Sequence, residues 1–299
     1  MTALPFLRPL LLLLCLLMRP AGAGPQYAST PLHEAQPVYR LAVHPLYNPA
    51  KLAETYQPLI DYLNRHIQGA RFELEASRDY QMYEAKLRAR QPQLLLPNPW
   101  QTLLAIGHGY TVIAMAGDAA DFRGLFIVRK DSGIVSPGDL KGKAVAYPSP
   151  TALAACIMAQ AFLHERNLDV MHDIDNRYVG SQESAIMNAY LGQTAAGVTW
   201  PPPWRLFQRD HPREAAQLKV IWETGTLVNN SVMLRNDTPA EIRSQLQRAL
   251  LELDRTPEGR AILATAQTRR FHPASNADYD VVRGYIAHFE REIRPVERK

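Results

Sequence analysis

The chain has 299 residues, with 33 Lys plus Arg against 29 Asp plus Glu for a formal charge of +4, and is 46% hydrophobic and 21% charged. This is the composition of a folded chain and excludes disorder; the length supports one large domain or two lobes. The charge is too small and too evenly spread for nucleic-acid binding, and nothing after the first twenty residues is apolar enough to cross a bilayer.

Arg8 precedes an apolar run from Leu10 to Met18, followed by Arg19-Pro20 and the small residues Ala21-Gly22-Ala23. That layout predicts a cleaved signal peptide over residues 1–23 and hence a periplasmic, exported protein. A retained anchor is disfavoured, because nine strongly apolar residues span only about 14 Å as a helix, half a hydrocarbon core. Cleavage removes Arg8, Arg19 and Cys15, leaving a charge near +2 and Cys156 as the single thiol. The mature chain then has no internal disulfide and depends on its core. Cys156, between Ala155 and Ile157, reads as a small buried hydrophobe. Residues 24–37 read as a flexible leader.

Short apolar runs then alternate with helical stretches. Leu41-Ala42-Val43 reads as a strand, and Asn48-Pro49 opens a helix with buried stripe Leu52, Tyr56, Leu59, Ile60 and Leu63. Strands at 72–76, 94–96 and 111–115 alternate with helices near 79–90 and 100–107. Phe122 to Arg129 and Ala144 to Tyr147 read as strands, followed by a helix from about Ala152 to His164. Tyr178-Val179 is a short strand, Glu183 to Leu191 a helix, and 195–199, 218–222 and 232–234 are further strands. Thr238-Pro239-Ala240-Glu241 has the pattern of cap, first-turn proline and capping-box glutamate; Thr256-Pro257 opens another helix, and Tyr279 to Phe289 reads as the last. The alternation predicts an α/β protein with largely parallel sheets. Two lobes are expected, one of residues 38–121 plus 224–299 and the other of 122–223.

Chemistry concentrates in a few turns. In Tyr147-Pro148-Ser149-Pro150-Thr151-Ala152-Leu153 a strand gives way to a helix start through two hydroxyls, where free N–H groups and the positive dipole end suit an anion. The competing reading is that Thr151 merely caps the helix. Gly180-Ser181-Gln182-Glu183 is a second helix start, with Ser181 as its cap and Gln182 aimed at a cleft. Pro99-Trp100 and Thr199-Trp200-Pro201 are rigid aromatic turns suited to cleft walls. No nucleophile elbow, zinc-protease, P-loop or dinucleotide-binding motif is present, and the nine histidines form no metal-ligand spacing. The residues therefore point to binding without cofactor, metal or catalytic group.

An ordered set of segments carries a resemblance. It comprises His44-Pro45 with Tyr56 to Leu63, Phe126 to Ile134, Asp139-Leu140-Lys141-Gly142-Lys143, Gly180 to Ala185, and Phe271-His272-Pro273-Ala274 with Asp278-Tyr279. With these the chain resembles the phosphate/phosphite/phosphonate-binding members of the periplasmic binding proteins that serve ABC transporters. The resemblance implies a type II fold, two α/β lobes with a ligand cleft between them that closes on an oxyanion. It places the anion loop on Ser149, Pro150, Thr151 and Ala152, and cleft aromatics on or near Tyr47 and Trp100. The expected ligand-binding set is therefore Tyr47, Trp100, Ser149, Thr151, Ala152, Ser181, Gln182 and Trp200.

The match departs from the family at Gln182-Glu183, where phosphonate binders resemble one another in having His-Asp, and at Ala195, where an acid is expected. Both losses count against an aminoalkylphosphonate, whose ammonium would want that charge. The implied partners are a small-molecule ligand and either a membrane permease or a sensor kinase; a monomer is the expected state. An exported enzyme of the same fold and a structural protein with a degenerate cleft are the competing functions.

Overall fold

The structure, a computed structural model, describes residues 36–297. The signal-peptide reading, and the leader up to residue 35, lie outside the described residues.

Strand β1 (Val38–Val43) ends at His44-Pro45, and α1 (Pro49–His66) begins where the Asn48 side chain accepts the Lys51 N–H. The expected stripe of α1 is buried, and Thr55 and Tyr62 widen it. β2 (Arg71–Glu75) leads to α2 (Tyr80–Arg88), capped by Asp79. β3 (Leu94–Leu96) stops before Pro97, and α3 (Pro99–Gly107) opens with a capping box between Asn98 and Gln101. After β4 (Tyr110–Ala116) the chain crosses to a second sheet through residues 117–124.

That sheet is built from β5 (Leu125–Arg129), β6 (Lys143–Tyr147), β7 (Ile174–Tyr178), β8 (Ala196–Thr199) and β9 (Leu218–Glu223). A π-helical turn (Leu153–Met158) running directly into α4 (Ala159–His164) follows β6; α5 (Gln182–Tyr190) follows β7, and α6 (Pro201–Asp210) with α7 (Pro212–Ala215) follows β8. The chain crosses back to β10 (Ser231–Arg235), then continues as α8 (Ala240–Leu251), α9 (Pro257–Thr265), β11 (Phe271–His272) and α10 (Asp280–Glu292).

The strand orders are β11-β4-β10-β3-β1-β2 and β7-β6-β8-β5-β9. Both sheets are mixed, which corrects the largely parallel expectation. β1 pairs parallel with β2 and β3, and β6 with β7 and β8, but β10 and β5 run antiparallel to both their neighbours. β11, at the edge, is also antiparallel to its neighbour β4. β5 and β10 are each the first strand laid down after a crossing and so enter their sheets against the direction of the βα units. The crossings press closely on the helices: a Cβ on Gly124 would lie 2.5 Å from the Ala154 carbonyl oxygen. Glycine is required there by close approach.

Three local expectations change. The strand assigned to Phe122–Arg129 begins only at Leu125, because Phe122 to Gly124 belong to the crossing. The helix assigned from Ala152 starts as a π turn, in which the Ala152 carbonyl accepts from both Cys156 and Ile157. Thr238 forms no cap: α8 begins at Ala240, and the Thr238 hydroxyl is buried without a partner. Among the described residues no helix is long and apolar enough to cross a membrane.

Candidate functional site

The segments that follow β1, β3, β6 and β8 all leave the carboxyl ends of their strands toward the seam between the sheets. In open α/β sheets that end is where ligands are held. Each supplies buried polar groups: His44 after β1, Asn98 and Gln101 after β3, Ser149 and Thr151 after β6, and Thr199 at the end of β8.

The predicted anion loop is the centre of the cluster. Ser149 Oγ lies 2.9 Å from Thr151 Oγ1 and accepts the Thr151 N–H. Thr151 does not cap its helix, which corrects the capping alternative: its hydroxyl instead donates to Glu84 Oε1 of α2 at 2.6 Å. Its carbonyl accepts from Asn98 Nδ2 at 3.1 Å. Gln101 Nε2 also donates to Glu84 Oε1, at 3.0 Å. The capping box of α3 thus does two things. Its backbone-directed atoms fix the helix start, and its remaining amide donors reach the loop and the carboxylate. As the opening residues of the π turn, Leu153, Ala154 and Ala155 have no intrahelical acceptors for their N–H groups. The loop therefore combines free backbone donors with hydroxyls already engaged, Ser149 with Thr151 inside the loop and Thr151 with Glu84 of the other half.

Burial raises the Glu84 carboxyl above the ordinary glutamate range, against the hydrogen bonds from Thr151 and Gln101 that favour its ionised form. His44 is buried and donates from Nδ1 to the Leu96 carbonyl at 2.9 Å. Desolvation lowers its pKa to about 4, so it is a neutral imidazole at neutral pH. Gln182 is buried between the halves: its amide nitrogen donates to the Tyr80 hydroxyl at 3.3 Å, and its carbonyl accepts from Thr199 Oγ1 at 2.9 Å. Tyr80 lies one helical turn before Glu84, so Gln182 adjoins the same cluster.

The predicted residues are not all brought together. Ser149, Thr151, Ala152 and Gln182 converge at the seam, all buried. Ser181 is used locally: its hydroxyl accepts the Ser184 N–H and donates to Ser184 Oγ. Trp100 is buried among the apolar residues under the first sheet. Trp200 packs on Phe122 at 5.5 Å and lines a cavity of about 20 Å³ with Leu46, Leu96 and Asn230, room for about one water. Tyr47 lines a separate cavity of about 100 Å³ with Lys51, Glu183, Asp210 and His211, and its hydroxyl is buried without a partner. Lys51 of α1 and Asp210 of α6 pair at 2.8 Å across that rim.

Sequence reasoning missed Glu84, Asn98, Gln101, Tyr80 and Thr199. Two signals were available. Asn98-Pro99-Trp100-Gln101 carries a capping-box spacing, and Glu84 interrupts the buried stripe Tyr80, Tyr83, Leu87 of α2 with an acid. Cys156 is fully buried and its thiol is pushed up to about 11, consistent with its reading as a hydrophobe. Among the described residues no group of His, Cys, Asp and Glu is arranged to hold a metal.

The fold has known counterparts. A binding protein component of an ABC phosphonate transporter from Pseudomonas aeruginosa superposes with a TM-score of 0.80 at 17% identity, covering 86% of this chain and 88% of that one. PhnD1 from Prochlorococcus marinus, solved in complex with methylphosphonate, gives 0.79 at 17% identity over 86% of this chain and 100% of that one. A Xanthomonas citri protein solved with bound chloride gives 0.67 at 19% identity, over 85% and 98%. At these identities the likeness is one of fold, the type II periplasmic binding protein architecture of two α/β lobes with the cleft between them. The sequence itself matches the model of the family described as "ABC transporter, phosphonate, periplasmic substrate-binding protein" over residues 41–279, and the chain belongs to that family.

Proposed function

We propose that this chain captures a small phosphonate-like oxyanion at the seam between its sheets and delivers it to the membrane permease of an ABC transporter. The family's members are substrate-binding components of transporters, so the role is binding and not catalysis. The observation that carries the ligand reading is the loop at 148–152. It sets the unpaired N–H groups of a helix start at the interface of two halves, where Asn98 and Gln182 add amide groups. Donors fixed in this way hold an anion through the backbone N–H groups and the positive dipole end of the helix start. The methylphosphonate held by the Prochlorococcus marinus protein of the same fold supports that ligand class. Residues 38–121 with 224–299 and residues 122–223 are proposed as the bodies that close on it, since all strands of one sheet come from the first set and all strands of the other from the second. Export with removal of residues 1–23 belongs to the same proposal.

The test is a thermal-shift panel of methylphosphonate, phosphate, sulfate and an aromatic acid. A ligand at a hundred times its Kd stabilises the folded state by about 2.7 kcal/mol. A clear upward shift with methylphosphonate or phosphate, and none with the aromatic acid, is expected. No shift with any oxyanion at millimolar concentration overturns the reading.

A further inference from the structure

We infer that Glu84 sets the specificity of this site, selecting an oxyanion that carries its own O–H over one that has none. The inference rests on the oxyanion reading and narrows it. Glu84 Oε1 lies 2.6 Å from the Thr151 hydroxyl and 3.0 Å from Gln101 Nε2, and the residue is 6% exposed. Among the described residues no other donor reaches this carboxylate, so one acceptor stands among the donors of the loop. The charged side chains that act on it from neighbouring positions are Arg88, one turn on along α2, and Glu297, with which Arg88 is paired.

A ligand head seated on the loop takes the place beside Thr151 and so meets the carboxylate directly. A fully ionised head sets like charge against like charge in a site that water does not screen. A singly protonated head donates its O–H to Glu84 and keeps its remaining oxygens for the N–H groups of Leu153 to Ala155. The acceptor touches the loop itself and not a position further along the cleft. The donor it selects therefore belongs to the anionic head, not to a remote amine. Sites built to hydrogen-bond a ligand O–H reject the analogue lacking it strongly, because a buried polar group is then left unmatched.

Methylphosphonate and methanesulfonate separate the cases. Below the second ionisation of methylphosphonate both have one negative charge and the same tetrahedral head, and only methylphosphonate has an O–H. Calorimetry on the wild-type protein is expected to show methylphosphonate binding at least about a hundredfold tighter. In Glu84→Gln, whose amide both accepts from Thr151 and donates to a sulfonate oxygen, that ratio is expected to fall by at least about tenfold. Equal affinity of the wild type for the two overturns the role of Glu84 and leaves the oxyanion reading standing. An unchanged ratio in a folded Glu84→Gln protein does the same. Binding of neither ligand by the wild type overturns this inference, and the oxyanion reading falls with it when phosphate and sulfate also fail to bind. The wild-type ratio decides even where the variant fails to fold.

Discussion

His44 shows how burial alone sets the state of a side chain at the seam. Its imidazole is removed from solvent against Tyr80, with ring centroids 6.0 Å apart, and gives its one proton to the Leu96 carbonyl. In the folded chain it stays neutral down to about pH 4, whereas the exposed imidazole of an unfolded chain titrates near 6.5. Between those values the unfolded state binds more protons than the folded one, so stability falls as pH drops through that window and levels off below it. The full shift corresponds to roughly 3 kcal/mol. His44→Asn keeps a donor for the carbonyl but does not titrate. Urea denaturation is expected to show the wild type losing roughly 2 kcal/mol more than this variant between about pH 7 and about pH 5. Parallel losses in the two proteins would assign the acid sensitivity to other groups.

At the scale of elements, the contact of α5 with β8 decides where Gln182 sits. A Cβ on Gly197 would stand 2.0 Å from the Ala185 carbonyl oxygen and 2.8 Å from its carbon, so helix and strand are in backbone contact. Gln182 opens that helix, and Thr199, its hydrogen-bond donor, ends that strand. Gly197→Ala is expected to push α5 outward and destabilise the protein by about 1–3 kcal/mol, with a melting temperature several degrees lower. Gly225→Ala, where nothing lies within 4 Å of the added carbon, serves as the control and is expected to change little. Equal melting temperatures for the two variants would mean that the backbone contact yields freely.

The elements themselves were legible because their signals are local. Asn48-Pro49 and Thr256-Pro257 open helices as their spacing implies, and the stripe of α1 is buried as its period requires. The start of α5 at Gln182 with Ser181 as cap was readable for the same reason. What the local signals could not carry was partnership across the seam. Thr151 has the sequence context of a cap, but Glu84 lies 67 residues earlier in the chain and draws its hydroxyl away from the helix. Tyr47 and Trp200 have the aromatic character of cleft walls, yet tertiary packing gives each its own cavity. The reversal of β5 and β10 is likewise set by the path of the crossings and not by any residue pattern within those strands.

Over the whole molecule, the end of the chain ties the two halves at the anion loop. α10 packs against α3 on the side of the first sheet, and the segment after it turns back across the seam. There Arg294 donates from Nε to Gln160 Oε1 at 2.8 Å and from its guanidinium to the Pro150 carbonyl at 3.0 Å. Val296 is buried, with its N–H on Glu290, and Glu297 pairs with Arg88 of α2. One short segment thus fixes the middle of the loop, the helix behind it and the helix that carries Glu84. Hydrogen bonds from a charged donor to buried acceptors contribute about 1.5–3 kcal/mol, and removing the donor leaves Pro150 and Gln160 unmatched. Arg294→Ala is therefore expected to lower the melting temperature by several degrees and to speed amide exchange at Thr151 and Ala152. Lys at this position keeps the charge but lacks the planar fork that reaches two acceptors at once, so Arg294→Lys is expected to restore little of either. Exchange at Thr151 and Ala152 that matches the wild type in Arg294→Ala would show that the loop holds its shape through Glu84 and Asn98 alone.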